Sequence, residues 1–281
     1  MTTSLAMTLC ASGSRAYAQP AADKSNYTLF DPTPTAQMRS FSTDRPNKGT
    51  SPYTVDAGHF QYETDLLGGG YDGYDRSHTR TRNVFTADPV LKLGVTNFAD
   101  VEISLGGYQA YSVHDRTTGH STSYDGFGDV SIRTKINLVG NDGGPVVLAV
   151  VPFYKVPTAN KRIGNGAGEF GVVVPLQVSL PAKVTALVVT EFDDLKNDND
   201  TGRHAGFANL INFSRPIAPK LTASIEYYSL VQTTRIATQH TLDLSLAYLV
   251  APNIQIDTAA YIGLNKAAPD LVAYVGISQR F

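Results

Sequence analysis

Residues 129–138 read Asp-Val-Ser-Ile-Arg-Thr-Lys-Ile-Asn-Leu, and their apolar period is two. Val130, Ile132, Thr134, Ile136 and Leu138 fall on one face, and Asp129, Ser131, Arg133, Lys135 and Asn137 on the other. Successive side chains of a strand point to opposite faces, so this is a strand with one apolar and one polar side. A helix would scatter the same charges around its circumference.

The pattern recurs along the chain. Phe170, Val172, Val174, Leu176, Val178 and Leu180 alternate with Glu169, Gln177 and Ser179. Leu242, Leu244, Leu246, Tyr248 and Val250 alternate with Thr241, Asp243 and Ser245. Further strands are predicted around 59–66, 82–95, 101–111, 145–156, 184–193, 204–214, 221–231, 254–262 and from Leu271 to the end, about twelve in all. The predicted connections alternate in length. Long ones cover 67–78 and 112–126; short ones cover 96–100, 139–144, 181–183 and 251–253. Short turns on one side and long loops on the other mark an outer-membrane barrel, and an even strand number puts both ends of the barrel on the short-turn side. A strand of about 11 residues tilted by about 40–45° rises about 26 Å, the height of the apolar band of such barrels. Tyr108, Tyr111, Tyr154, Tyr227, Tyr228, Tyr261, Tyr274 and Phe281 stand near strand ends, where interfacial girdles are expected.

Composition excludes the main alternatives. The chain has 281 residues, 42% hydrophobic and 17% charged, with a formal net charge of -2. Disorder needs low hydrophobicity and high net charge. A single Cys makes no internal disulfide. With 23 basic against 25 acidic residues, no basic face for nucleic acid is expected. The longest apolar run, 145–153, is far short of the roughly 20 residues of a spanning helix. The fold expected is therefore all-β: a closed, antiparallel, up-and-down transmembrane β-barrel of about twelve strands, occupying residues 57–281.

Two segments precede it. Residues 1–18 end in Ala16-Tyr17-Ala18, which fits signal-peptidase cleavage, although no basic n-region is present. Cleavage there would remove Cys10. Residues 19–56 carry Pro20, Pro32, Pro34, Pro46 and Pro52, a density that disfavours regular structure. An extended periplasmic or plug-like lead-in is expected, with Asp44 and Arg45 as a plug or rim contact or part of an inert tail. The end of the chain, Val275-Gly276-Ile277-Ser278-Gln279-Arg280-Phe281, resembles the assembly signal of bacterial outer-membrane proteins through Gly276 and the terminal Phe281, with Gln279 departing from it.

Thr43-Asp44-Arg45-Pro46, 55–63 (Val-Asp-Ala-Gly-His-Phe-Gln-Tyr-Glu), Leu93-Gly94-Val95-Thr96 leading to Val101-Glu102, Gly126-Phe127-Gly128-Asp129-Val130 with Lys135, and Val156-Pro157-Thr158 together resemble a family of bacterial outer-membrane transporter-like proteins of the MetA pathway of phenol degradation. The resemblance covers most of 40–281. It implies an outer-membrane barrel that passes small, often aromatic or hydrophobic compounds, and it identifies no ligand.

With the apolar face on lipid, the polar face lines the lumen. The candidates are Glu63, Asp65, Lys92, Glu102, Asp129, Arg133, Lys135, Glu169, Glu191, Asp193, Glu226, Asp243, Asp257 and Arg280. Charges facing one another there either set selectivity and width or fill the barrel with salt bridges. The mixed signs argue against strong ion selectivity. Gly166-Ala167-Gly168-Glu169-Phe170-Gly171 matches GxGxxG, but a strand containing Pro175 follows, not the helix a dinucleotide site needs. The run 198–202 lacks the later ligands of a calcium loop and reads as an acidic outer loop. Catalysis of the barrel-phospholipase kind would need a Ser beside an oriented His. His204 and Asn209 are five apart and so on opposite faces, and the six His residues show no metal-ligand spacing.

The expectation is a passive channel without enzyme activity, cofactor or metal, in the bacterial outer membrane. Its partners would be lipid and lipopolysaccharide, the barrel assembly machinery at the last strand, and a small-molecule solute, but no nucleic acid. The competing classes are a structural or adhesion barrel and a soluble β-barrel binder.

Overall fold

The computed structural model describes residues 23–74, 78–197, 201–234 and 237–281. The predicted signal peptide with Cys10, and Asp198, Asn199 and Asp200 of the acidic loop, lie outside the described residues. Helix among the described residues is confined to two 3-10 turns, Thr35–Gln37 and Pro181–Lys183.

Among the described residues, fifteen strand segments form one antiparallel sheet that closes on itself as twelve strands. They are β1 (Phe60–Asp72), β2 (Thr79–Thr86 and Val90–Thr96), β3 (Ala99–Ser104 and Tyr108–Asp115), β4 (Ser121–Phe127 and Val130–Val139), β5 (Val146–Val156) and β6 (Glu169–Leu180). β7 (Val184–Lys196), β8 (Arg203–Ala218), β9 (Leu221–Gln232), β10 (Gln239–Ala251), β11 (Ile254–Gly263) and β12 (Leu271–Arg280) complete the order. Each strand pairs with its sequence neighbours, and β12 returns to β1, from Gln61 opposite Arg280 to Tyr71 opposite Leu271. At the seam Phe281 stacks on Phe60 and Tyr62 with ring centroids 6.1 and 6.2 Å apart.

The alternating apolar face is the exterior. Ile132, Leu138, Phe170, Val188, Ile211, Ile225, Leu244, Leu246, Ile256 and Val275 are all exposed there, while Lys92, Glu102, Lys135, Glu226 and Asp243 are buried inside. A closed sheet with an apolar outside is the arrangement of a transmembrane barrel, because no backbone donor or acceptor is then left facing hydrocarbon.

The turns at the end holding the start of β1 and the end of β12 are short, for example 97–98, 219–220 and 252–253. At the other end the sequence reading needs correction. The connections predicted over 67–78 and 112–126 shrink to 73–78 and 116–120, because Gly68 to Asp72, Ser112 to Asp115 and Ser121 to Phe127 are paired strand. These residues extend β1 to β4 beyond the apolar band. There Arg82, Ser112 and Ser123 replace apolar residues on the outer face, so the alternation that betrays a lipid-facing strand is missing. An aligned set of interruptions marks the changeover. Ala87 and Gly106 have φ of 52° and 57°, and Gly107 N–H donates to Asp88 Oδ1 at 3.1 Å. A side chain at Gly106 would overlap the backbone of Gly128 and Asp129, so only glycine fits this crossing.

Leu244 stands on the exterior face midway along β10. Leu244→Arg is expected to destabilise the barrel by about 2–4 kcal/mol, and Ile217→Arg near the short-turn end by about 0–1 kcal/mol. Equilibrium urea unfolding in lipid vesicles measures both.

Candidate functional site

The proline-rich segment enters the lumen as an irregular strap, and its chemistry is set by an accounting problem. Proline and non-repetitive backbone cannot join the wall's ladder, yet buried N–H groups need acceptors. Side chains supply them. Asp44 N–H and Arg45 N–H donate to Glu63 Oε2 at 3.0 and 3.2 Å. Lys48 N–H donates to Glu226 Oε1 at 3.1 Å, and Val55 N–H to Asp100 Oδ2 at 2.8 Å. Arg39 N–H uses Asp56 Oδ2, 3.0 Å away.

Asp44 is the hub of the strap's ion pairs. It accepts from Lys92 Nζ at 2.6 Å and Lys135 Nζ at 3.0 Å, and its Oδ1 also receives Ser51 N–H at 2.7 Å. Lys92 reaches Glu63 at 2.5 Å. Glu102, fully buried, is held by charge rather than aligned hydrogen bonds, 3.0 Å from Lys135, 3.3 Å from Arg133 and 3.8 Å from Lys92. Burial alone would raise the Asp44 carboxyl, but Lys135, Lys92 and Arg133 outweigh it and hold the group well below the usual carboxylate range.

Next along the strap, two cations meet carboxylates and aromatic faces together. The Arg45 guanidinium lies 2.9 Å from Asp257 and 2.6 Å from Asp65, with its carbon 4.6 Å from the Tyr274 ring centre. Gly276 makes this approach possible, because a Cβ there would overlap the guanidinium. The Lys48 ammonium lies 2.9 Å from Asp243, 2.6 Å from Thr241 Oγ1, and 4.5 and 4.2 Å from the ring centres of Tyr228 and Tyr261. Tyr261 Oη and Tyr274 Oη both donate to the Pro46 carbonyl. Tyr228, Tyr261 and Tyr274 thus face the lumen, not the interfacial girdle expected of them. Tyr111, placed in that girdle too, stacks on Tyr124 inside the β3–β4 extension at 5.1 Å. A tyrosine near a strand end reads the same on either face, and only the register separates them.

The remaining predicted residues form two further groups. Toward the long-loop end Lys155 bridges Asp129 at 3.2 Å and Glu169 at 2.6 Å, and Glu191 and Asp193 share the inner face of β7. Toward the short-turn end Arg280 meets the fully buried Asp56 at 3.3 Å. Lys24 and Arg39 complete that group, at 3.5 and 3.6 Å from Asp56 and 2.6 and 3.0 Å from Asp142. Lys24, Arg39, Lys48, Asp56, Asp100, Asp142 and Lys155 are absent from the sequence-based set. Most of them lie in the strap, in a turn or at a strand end, where no alternation marks a facing side. His204 Nδ1 lies 2.9 Å from Asn197 Oδ1, while Asn209 lies 2.8 Å from Thr190 Oγ1 on the exterior.

The lumen is not uniformly polar. Val151, Val173, Leu187, Val189 and Leu210 form a buried patch on the inner face of β5 to β8, and Gly49 of the strap sits directly against Leu210 and Val189. Beside the strap runs a cavity of about 750 Å³, from Asn141 and Asp142 up to Arg45 and Pro46. Its wall is mostly uncharged and hydrogen-bonding: Gln177, Thr185, Asn212, Ser214, Thr222 and Ser224.

The family model described as "Putative MetA-pathway of phenol degradation" matches residues 43–281. Among solved structures, the barrel is similar to the COG4313 outer membrane channel from Pseudomonas putida F1, with a TM-score of 0.62 and 11% identity over 84% of this chain and 100% of that one. It is also similar to the β domain of the Bordetella autotransporter BrkA, with a TM-score of 0.51 and 11% identity over 79% of this chain and 99% of that one. No curated protein matches the sequence.

Because the folded Asp44 carboxyl titrates below its ordinary value, its contribution to strap docking is complete above about pH 4 and declines as pH falls toward the lowered value. The share of strap docking due to Asp44 is therefore expected to stay constant between about pH 8 and 5, read as the difference in protease cleavage at Arg39 and Lys48 between the native protein and Asp44→Asn at each pH. Asp44→Asn leaves Lys92 and Lys135 short of a partner and is expected to weaken docking by about 3–5 kcal/mol, read as strap cleavage at neutral pH. Gly276→Val is expected to expose the same sites by displacing the guanidinium.

Proposed function

Since the chain belongs to the family described as putative MetA-pathway of phenol degradation, we propose that it is an outer-membrane channel through which small molecules diffuse down their gradient, with the strap setting the width of the path. The cavity of about 750 Å³ between strap and wall carries this reading. It gives a solute of one ring or a few carbons room beside the strap in the short-turn half of the lumen. The barrel exterior supports a place in the outer membrane, since its apolar face needs lipid. The similar Pseudomonas putida barrel is itself named an outer membrane channel.

The solute class proposed is small, weakly polar aromatic molecules. The cavity wall pairs hydroxyl and amide groups with Leu187 and Ala247, chemistry that suits a ring bearing a hydroxyl. The family description points the same way. Passage needs no cofactor, and catalysis has no part in this reading.

In planar bilayers the protein is expected to show small unitary conductance, and removal of residues 24–56 is expected to raise it several-fold. Uptake of phenol into liposomes should follow the same order. Absence of conductance from both forms, together with no uptake of phenol or comparably small solutes, overturns the channel in favour of a structural barrel.

A further inference from the structure

The surroundings of Lys48 have the composition of a ligand site. Its ammonium lies against two aromatic faces, Tyr228 at 4.5 Å and Tyr261 at 4.2 Å. It is also 2.9 Å from the buried Asp243 carboxylate and 2.6 Å from Thr241 Oγ1. These four residues belong to three adjacent wall strands, β9, β10 and β11, so the wall builds the cage and the strap only fills it. Aromatic faces beside a carboxylate recognise ammonium groups in general, through attraction of the cation to the ring quadrupole and to the negative charge.

We propose that this cage is a binding site for small organic ammonium ions, and that Lys48 is a tethered occupant that a solute amine displaces. The assignment rests on the channel reading, since the amine reaches the cage through the lumen. Three observations carry it beyond an ordinary salt bridge. The Lys48 side chain keeps about a fifth of its surface exposed to the lumen, whereas Lys92 and Lys135 are sealed at 2% and 1%. One aromatic wall is fixed in place: Tyr261 packs edge to face on Tyr274 at 5.6 Å, and its hydroxyl donates to the strap's Pro46 carbonyl, which a change at Lys48 leaves where it is. Finally, the two strap cations are held unequally. Burial lowers the Lys48 ammonium despite Asp243 and Glu226, whereas burial of Arg45 is outweighed by Asp257, Tyr274 and Asp65, which raise it. Lys48 is the weaker attachment and the one a competing amine can replace.

The test uses the full chain folded in detergent, with n-butylammonium as probe and n-butanol as its neutral counterpart. Lys48→Met removes the tethered ammonium from the cage while leaving the wall residues unchanged, and folding is checked by altered gel mobility before and after boiling. Calorimetry is expected to show at least about ten-fold tighter n-butylammonium binding to Lys48→Met than to the native chain, because the tethered competitor is gone. Adding Asp243→Asn should abolish that gain, and n-butanol should bind neither form. Lys48→Gln serves as the second strap variant if the methionine form misfolds. Equal binding by native and Lys48 variants, or binding that survives Asp243→Asn, overturns the site. Potassium conductance in bilayers is recorded on the same proteins. Conductance without the n-butylammonium effect sinks the cage and leaves the channel, while binding with neither conductance nor phenol uptake supports the cage and sinks the channel.

Discussion

A strand that crosses a bilayer cannot leave a backbone N–H or C=O without a partner, because hydrocarbon supplies none and each orphan costs several kcal/mol. The pairing of β12 with β1 meets that constraint for the whole sheet. Closure also creates an inside, and a closed sheet of twelve strands encloses more space than its own side chains fill. The strap occupies part of that space. It brings the same problem indoors, since its irregular backbone has donors and no ladder. Glu63, Asp100 and Glu226 answer it by accepting from the strap backbone, so acids on the wall act first as hydrogen-bond acceptors and only second as charges.

Buried carboxylates are costly if left unpaired. The lysines and arginines of wall and strap gather many of them in clusters: Asp44 and Glu63 with Lys92, Asp44 also with Lys135, Asp56 with Lys24, Arg39 and Arg280, and Asp257 with Arg45. Buried pairs of this kind add little net stability over an apolar filling, but breaking one partner is expensive. The interior is thus strongly selective for one docked arrangement of the strap without being strongly stabilised overall. The hydrophobic contribution is small and local, where Gly49 meets Leu210 and Val189.

Much of the wall was legible. In Glu169–Leu180 and Gln239–Ala251 the lipid demands an apolar residue at every second position, so the period of two is written directly into the residues. The same alternation placed Glu63, Lys92, Glu102, Lys135, Glu226 and Asp243 on the inner face. The extension of β1 to β4 was not legible, because outside the apolar band both faces are polar and Gly-, Ser- and Tyr-rich strand looks like loop. Lys48 and Arg39 were not legible either. Their partners are far away in sequence, Lys48 pairing with Asp243 and Arg39 with Asp142, and no local spacing announces such a contact.

The sequence alone determined the barrel, its approximate strand number, the face that meets lipid, and the chemistry available to the lumen. These follow from local rules: the alternation of side chains along a strand, the lengths of turns, and the effect of proline on backbone donors. The tertiary structure decided which charges pair, that Tyr228, Tyr261 and Tyr274 turn inward, and that Gly276 exists beside a guanidinium. Each of those depends on the register of strands remote in sequence and on the path of the strap between them. Contacts across a lumen are fixed only when the sheet has closed.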